Sequence, residues 1–169
     1  MNNQQKVSYM NKFLLVFSFL LIAGLAKAQT NNKTYPKDSL IKVQILDPFL
    51  HAAADSQKAP DWLALTKLIT DKYDVGFADR IVNKTQIFYA YEKDWPAFAA
   101  ALVRYTEKYE DHNNLPLLNK NASMVSQFSI DKKELEIAQG WSKYTLDKEP
   151  GNADYQKTYD ALKAKIAGQ

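Results

Sequence analysis

The sequence predicts an all-α fold of antiparallel helix hairpins, about six or seven helices in all. Three observations predict it. From Asp61 onward, apolar side chains recur every three or four residues, the spacing that gathers them on one face of a helix. Short polar breaks that hold Asp, Asn, Pro or Gly separate these stretches, and such residues cap and end helices. A faint internal echo recurs at 33 to 39 residues, the length of a stacked helix pair.

Residues 1–28 stand apart from this pattern. Lys6 and Lys12, with no acidic residue, precede the apolar run 13–26, and Ala26-Lys27-Ala28 supplies an A-x-A pattern. Together they predict a secretory signal peptide cleaved before Gln29. The run of 14 residues is shorter than the about 20 that a bilayer-spanning helix needs. The expected localisation is therefore periplasmic or extracellular, with no membrane association after cleavage. Residues 29–37 are polar and aperiodic, a flexible lead-in, and residues 38–169 are expected to form a single domain.

Within 39–46, Ile41, Val43 and Ile45 alternate as in a strand, whereas Leu40, Ile41 and Ile45 also line up on a helix; the helical context favours the second pattern. Asp47-Pro48 reads as an N-cap and a first-turn proline opening a short helix toward Asp55. Asp61 caps a helix with Trp62, Leu65, Ile69 and Tyr73 on one face. Phe77, Ile81 and Phe88, flanked by Ala78, Val82 and Tyr89, form the next, to about Lys93. Trp95, Phe98, Leu102, Tyr105 and Tyr109 follow an Asp94 cap, with Pro96 in the first turn, where proline is tolerated.

Residues 111–116 read as a loop, and Leu118, Ala122, Val125 and Phe128 as a shorter helix. Asp131 opens another, with Leu135, Ala138, Trp141 and Thr145 inward, Ile137 and Tyr144 broadening that face, and Glu134 placed for a capping box. Glu149-Pro150-Gly151-Asn152 stops it, and Tyr155, Tyr159, Leu162 and Ile166 face inward from the last helix. The echo is carried by Asp61-Trp62 and Asp94-Trp95, by Val82-Asn83-Lys84 and Leu118-Asn119-Lys120, and by Tyr105-Thr106 and Tyr144-Thr145.

Residues 138–162 resemble the join between two tetratricopeptide repeats. Ala138 stands where a small residue lets helices approach, Pro150 closes the helix, and Gly151-Asn152-Ala153-Asp154 leads into the next. The array implied is tetratricopeptide-like and right-handed, ending on an unpaired capping helix. More narrowly, Asp94-Trp95, Asn121-Ala122 with Val125 and Phe128, Asp131-Lys132-Lys133, Trp141-Ser142-Lys143 and Glu149-Pro150 resemble the helical tail of exported bacterial thioredoxin-fold proteins of the thiol-disulfide oxidoreductase family. The chain has no cysteine, so the redox activity of that family is not carried over. What the resemblance implies is the helical scaffold alone.

Composition narrows the function further. Once Lys6, Lys12 and Lys27 leave with the leader, 19 basic residues balance 19 acidic ones, so nothing favours nucleic acid as a partner. His51 and His112 have no second histidine three or four residues away, and Ser123, Ser126 and Ser129 have no base in their helical pattern. The carboxylates Asp71, Asp74 and Asp79, and Glu107, Glu110 and Asp111, are interleaved with basic or tyrosine residues and read as solvated faces. No catalytic residue, cofactor or metal ligand is therefore expected.

One segment stands out for binding. In Phe88-Tyr89-Ala90-Tyr91, followed by Trp95, one helical face cannot bury every ring. Tyr89, Tyr91, Trp95 and Arg104 are the expected interaction surface. The function expected is that of a non-catalytic scaffold or interaction module whose partner is a protein or peptide. Two alternatives are a carbohydrate- or small-ligand-binding helical domain and a degenerate remnant of a thioredoxin-family protein.

Overall fold

Six helices are each preceded by an Asp or Asn whose side-chain oxygen accepts a hydrogen bond from the first turn. These caps are Asp61, Asp74, Asp94, Asn114, Asp131 and Asn152. They open α2 (Trp62–Thr70), α3 (Val75–Ala90), α4 (Trp95–Tyr109), α5 (Leu115–Phe128), α6 (Lys132–Lys148) and α7 (Ala153–Ala167). Each cap satisfies N–H groups that have no intrahelical acceptor and contributes about 1 kcal/mol. The structure, a computed structural model, describes residues 36–169 except Glu92. The expected signal peptide at 1–28, and the lead-in as far as residue 35, lie outside the described residues.

Upstream of α2, α1 runs through an α-helical stretch (Pro36–Ile41), a π-helical turn (Lys42–Leu46) and a second α-helical stretch (Asp47–Asp55). The ambiguous segment 39–46 is therefore helical. Asp47 does not cap anything: its backbone is helical, and its N–H donates to the Lys42 carbonyl five residues back. Pro48 lacks an N–H and would crowd the carbonyl four residues before it. The wider π turn immediately upstream makes that room. The Asp47 carboxylate instead pairs with Lys42 at 2.9 Å.

Seven helices and no strand make up the described residues, an all-α array. The connections from α2 to α7 are three to five residues long, which turns each helix back on its predecessor. Proximity divides the chain into Met1–Leu40 and Ile41–Gln169, and the packing that follows is that of the second unit. Each helix packs on the next, and α4 also touches α6 and α5 touches α7. The echoed pairs Tyr105-Thr106 and Tyr144-Thr145 thus sit on two helices in contact.

Two apolar clusters result. One joins Ile41, Ile45 and Leu46 of α1 with Leu65 and Ile69 of α2 and Ala78, Ile81 and Val82 of α3. The other joins Phe98 and Leu102 of α4, Leu118, Ala122 and Val125 of α5, Leu135, Ala138 and Trp141 of α6, and Leu162 of α7. Fully burying one such Leu, Ile or Phe contributes about 1.5–3 kcal/mol. α3 belongs to both clusters, through its first half and through Ala90 at its end.

Several details depart from the periodicity. The inner face of α3 is Ala78, Ile81, Val82 and Thr85, with Phe77 and Phe88 half-buried, and the helix ends at Ala90 rather than near Lys93. The loop at 111–116 is shorter than expected, because Asn114 caps a helix that takes Pro116 into its first turn. Ile137 is exposed rather than part of the inner face of α6. Glu134 does not reach the Asp131 N–H. Ser129 accepts from that N–H at 3.1 Å and donates to Glu134 Oε2 at 2.6 Å, so the capping box closes through the serine.

Candidate functional site

The expected surface residues fall into three surroundings. Tyr91 and Trp95 come together, rings edge to face at 5.3 Å. Trp95 then stacks on Phe128 at 4.1 Å, and Phe98 lies edge-on to both Tyr91 and Trp95. Both residues are half-buried against the larger apolar cluster. Tyr89 turns the other way, edge to face with Trp62 of α2 at 5.3 Å, with the Lys93 ammonium 4.0 Å from its ring centroid. Arg104 is exposed, and its guanidinium donates to Gln86 Oε1 at 3.0 Å.

A second arrangement was not signalled by sequence spacing. α4, α5 and α6 enclose a shallow cleft of about 370 Å³, lined by Glu107, His112, Leu118, Glu136, Ile137, Gly140, Trp141 and Tyr144. Gly140 is part of its lining. A Cβ built there would meet nothing within 4 Å, so any longer side chain at this point would enter open space. Trp141 is buried, and its indole N–H donates to Glu107 Oε1 at 2.5 Å, tying α6 to α4.

The residues around the cleft are held in place by their own bonds. The Nε2 atom of His112 lies 3.2 Å from the Thr106 carbonyl, and its ring is edge-on to Trp141. The Tyr144 hydroxyl donates to Asn113 Oδ1 at 3.3 Å, while Asn113 Nδ2 donates to Asp111 at 3.0 Å. The second bond fixes which way the Asn113 amide faces. Beneath the cleft, Asn121 Nδ2 donates to Thr106 Oγ1 at 3.0 Å, both groups buried. Beside it, burial pushes the Glu110 carboxyl above the usual carboxylate range, against the opposing pull of Lys84 and His112.

A separate polar cluster joins α3 to α4. Asp79 Oδ2 accepts from Lys108 Nζ at 2.7 Å and from the Tyr109 hydroxyl. The hydrogen bonds from Lys108 and then Tyr109 hold the Asp79 carboxyl below its ordinary range. Burial and the Asp79 bond push the Tyr109 phenol up.

The cleft escapes sequence reading because Glu107 and Trp141 are 34 residues apart and each has an ordinary place in its own helix. Glu107 reads as part of a solvated carboxylate run, Trp141 as a core residue, and His112 as a loop histidine. The one available signal is the echo of Tyr-Thr on α4 and α6, which aligns Glu107 with Leu146 and sets the two helices side by side. Among the described residues, no three His, Asp or Glu side chains gather as a metal site would require, and no helix is long and apolar enough to cross a membrane. Compared with protein-family models, with curated proteins and with solved structures, the chain has no match.

Proposed function

We propose that the chain is an exported, non-catalytic helical scaffold that binds a protein or peptide through the cleft on α4, α5 and α6. The observation that carries this reading is the cleft itself: a concavity with aromatic walls, polar groups fixed by second bonds, and an opening at Gly140. Binding sites are commonly concave, largely apolar and equipped with a few oriented polar groups. Tyr91 and Trp95 do not line this cleft; they pack half-buried on each other, with Trp95 stacked on Phe128. Export rests on the leader read in residues 1–28, and the kinship with thioredoxin-family tails rests on the packing motifs quoted above.

The second reading is the remnant of a larger thioredoxin-family protein. It draws on the exposure of Val43, Leu63 and Val75, at 65%, 81% and 68%, apolar side chains that a lost neighbour would have covered.

One experiment separates the two. The purified chain is used to capture partners from an envelope extract, alongside Gly140→Leu and a Tyr89→Ala, Tyr91→Ala double variant. Gly140→Leu improves helix propensity and projects into the cleft, so it blocks the site without unfolding the helix. The expected result is one partner recovered by the parent and the tyrosine variant and lost by Gly140→Leu. Equal recovery by all three overturns the cleft. No partner from any extract favours the remnant.

A further inference from the structure

We infer that the cleft receives a cationic side chain, an arginine of a partner peptide above all; this rests on the interaction-module reading and specifies its ligand. The argument is one of donors and acceptors. The Trp141 indole N–H is already given to Glu107. His112 Nε2 faces a carbonyl, which can only accept, so that nitrogen bears the hydrogen and gives it to Thr106. The Tyr144 hydroxyl gives its hydrogen to Asn113, which leaves the phenol oxygen as an acceptor. Trp141, Tyr144 and the Nε2 of His112 have therefore spent their donors, and the carboxylates have none.

Charge points the same way. Glu107 keeps one carboxylate oxygen beyond its bond to Trp141, and Glu136 has both. Among the described residues neither forms an ion pair. A ligand suited to this cleft brings donors, positive charge and an aliphatic stem to lie along Leu118 and Ile137. That is the description of a lysine or arginine side chain. The two carboxylates come from different helices, and a planar guanidinium with five donors can serve both while lying against an aromatic ring. An ammonium offers three donors from one point. The Lys148 ammonium, 5.3 Å from the Tyr144 ring centroid, shows a cation already settled on one of the rings concerned.

The test uses the full chain and three short peptides, acetyl-Gly-Arg-Gly-amide and the same peptide with lysine or with neutral citrulline at its centre. The reporter is the NMR signal of the Trp141 indole N–H, assigned by its loss in Trp141→Phe. The arginine peptide is expected to move that signal saturably, with lysine weaker and citrulline weaker by about tenfold or more. Glu136→Gln should weaken the arginine peptide about tenfold with unchanged thermal unfolding, and Gly140→Leu should abolish the shift. Equal binding of arginine and citrulline, or no effect of Glu136→Gln, overturns the cation. Equal binding of free arginine reassigns the cleft to an amino acid and overturns the peptide. If no peptide moves the signal while Gly140→Leu still abolishes capture of a partner, the interaction module stands and the arginine falls. If the arginine peptide binds while Gly140→Leu leaves capture untouched, the module assignment falls instead.

Discussion

Asp79 and Glu110 are carboxylates at the same end of the α3–α4 hairpin, where the start of α3 meets the end of α4, and their surroundings push them in opposite directions. Lys108 and Tyr109 both donate to Asp79 and lower its pKa in the folded chain. A carboxyl whose folded pKa is depressed contributes stability above its unfolded pKa and loses it as pH falls through the folded value. Glu110 is raised, chiefly by burial, so its charged form costs stability once pH exceeds the unfolded value. Asp79→Asn should therefore lower the melting temperature at neutral pH and Glu110→Gln should raise it. Both differences should shrink toward zero in acid, where the parent carboxyls are protonated. Thermal unfolding of the three proteins from neutral to acid pH checks both signs, and a Glu110→Gln variant less stable at neutral pH would contradict the burial argument. At this scale the sequence was only partly legible. Asp61, Asp94 and Asp131 were readable as caps because capping depends on local order alone. Asp47 was misread because the helix that absorbs it begins upstream, and a cap signal means nothing without a helix boundary.

Helices are joined here by a few buried polar contacts as much as by apolar faces. Asn121 of α5 donates to Thr106 of α4, and Thr106 is fully buried. Thr106→Val keeps the volume and removes the acceptor, which leaves the Asn121 amide buried with a donor unmatched. The cost expected is about 1–3 kcal/mol, measured by urea unfolding. Adding Asn121→Leu to Thr106→Val should recover part of that loss, because the stranded donor is gone; no recovery would show that the contact is not what holds the pair. α3 illustrates how periodicity misplaces a face. Phe77, Ile81 and Phe88 carry its apolar spacing, yet its buried face runs through Ala78, Ile81, Val82 and Thr85. A sequence pattern weighs side chains by hydrophobicity, while packing between close helices favours small ones.

Across the molecule, the two apolar clusters differ in support. The one built on α1, α2 and the start of α3 includes the π turn upstream of Pro48 and a nine-residue helix, α2, with Leu63 and Leu68 facing out. The other is held by four longer helices and by side chains that reach between them, such as Lys165 Nζ on the Ser126 carbonyl at 2.7 Å. Regions with fewer buried contacts open first. Native-state hydrogen exchange should therefore release the amides of Trp62–Thr70 before those of Trp95–Tyr109. Simultaneous release at one free energy would mean that α3, which belongs to both clusters, couples them into a single cooperative unit.

The amino-acid order by itself determined the helices: their apolar spacing, the Asp94 and Asp131 starts, the stop at Glu149-Pro150-Gly151-Asn152, and hence an all-α array of stacked hairpins. These depend on interactions within about four residues, which a linear reading captures. Only the tertiary structure decided which rings met. It sent Tyr89 to Trp62 and Tyr91 to Trp95, and it brought Glu107, His112, Gly140 and Trp141 around one cleft. The physical reason is that a cleft is made by the distance and rotation between helices, and no residue's neighbours in sequence carry that information.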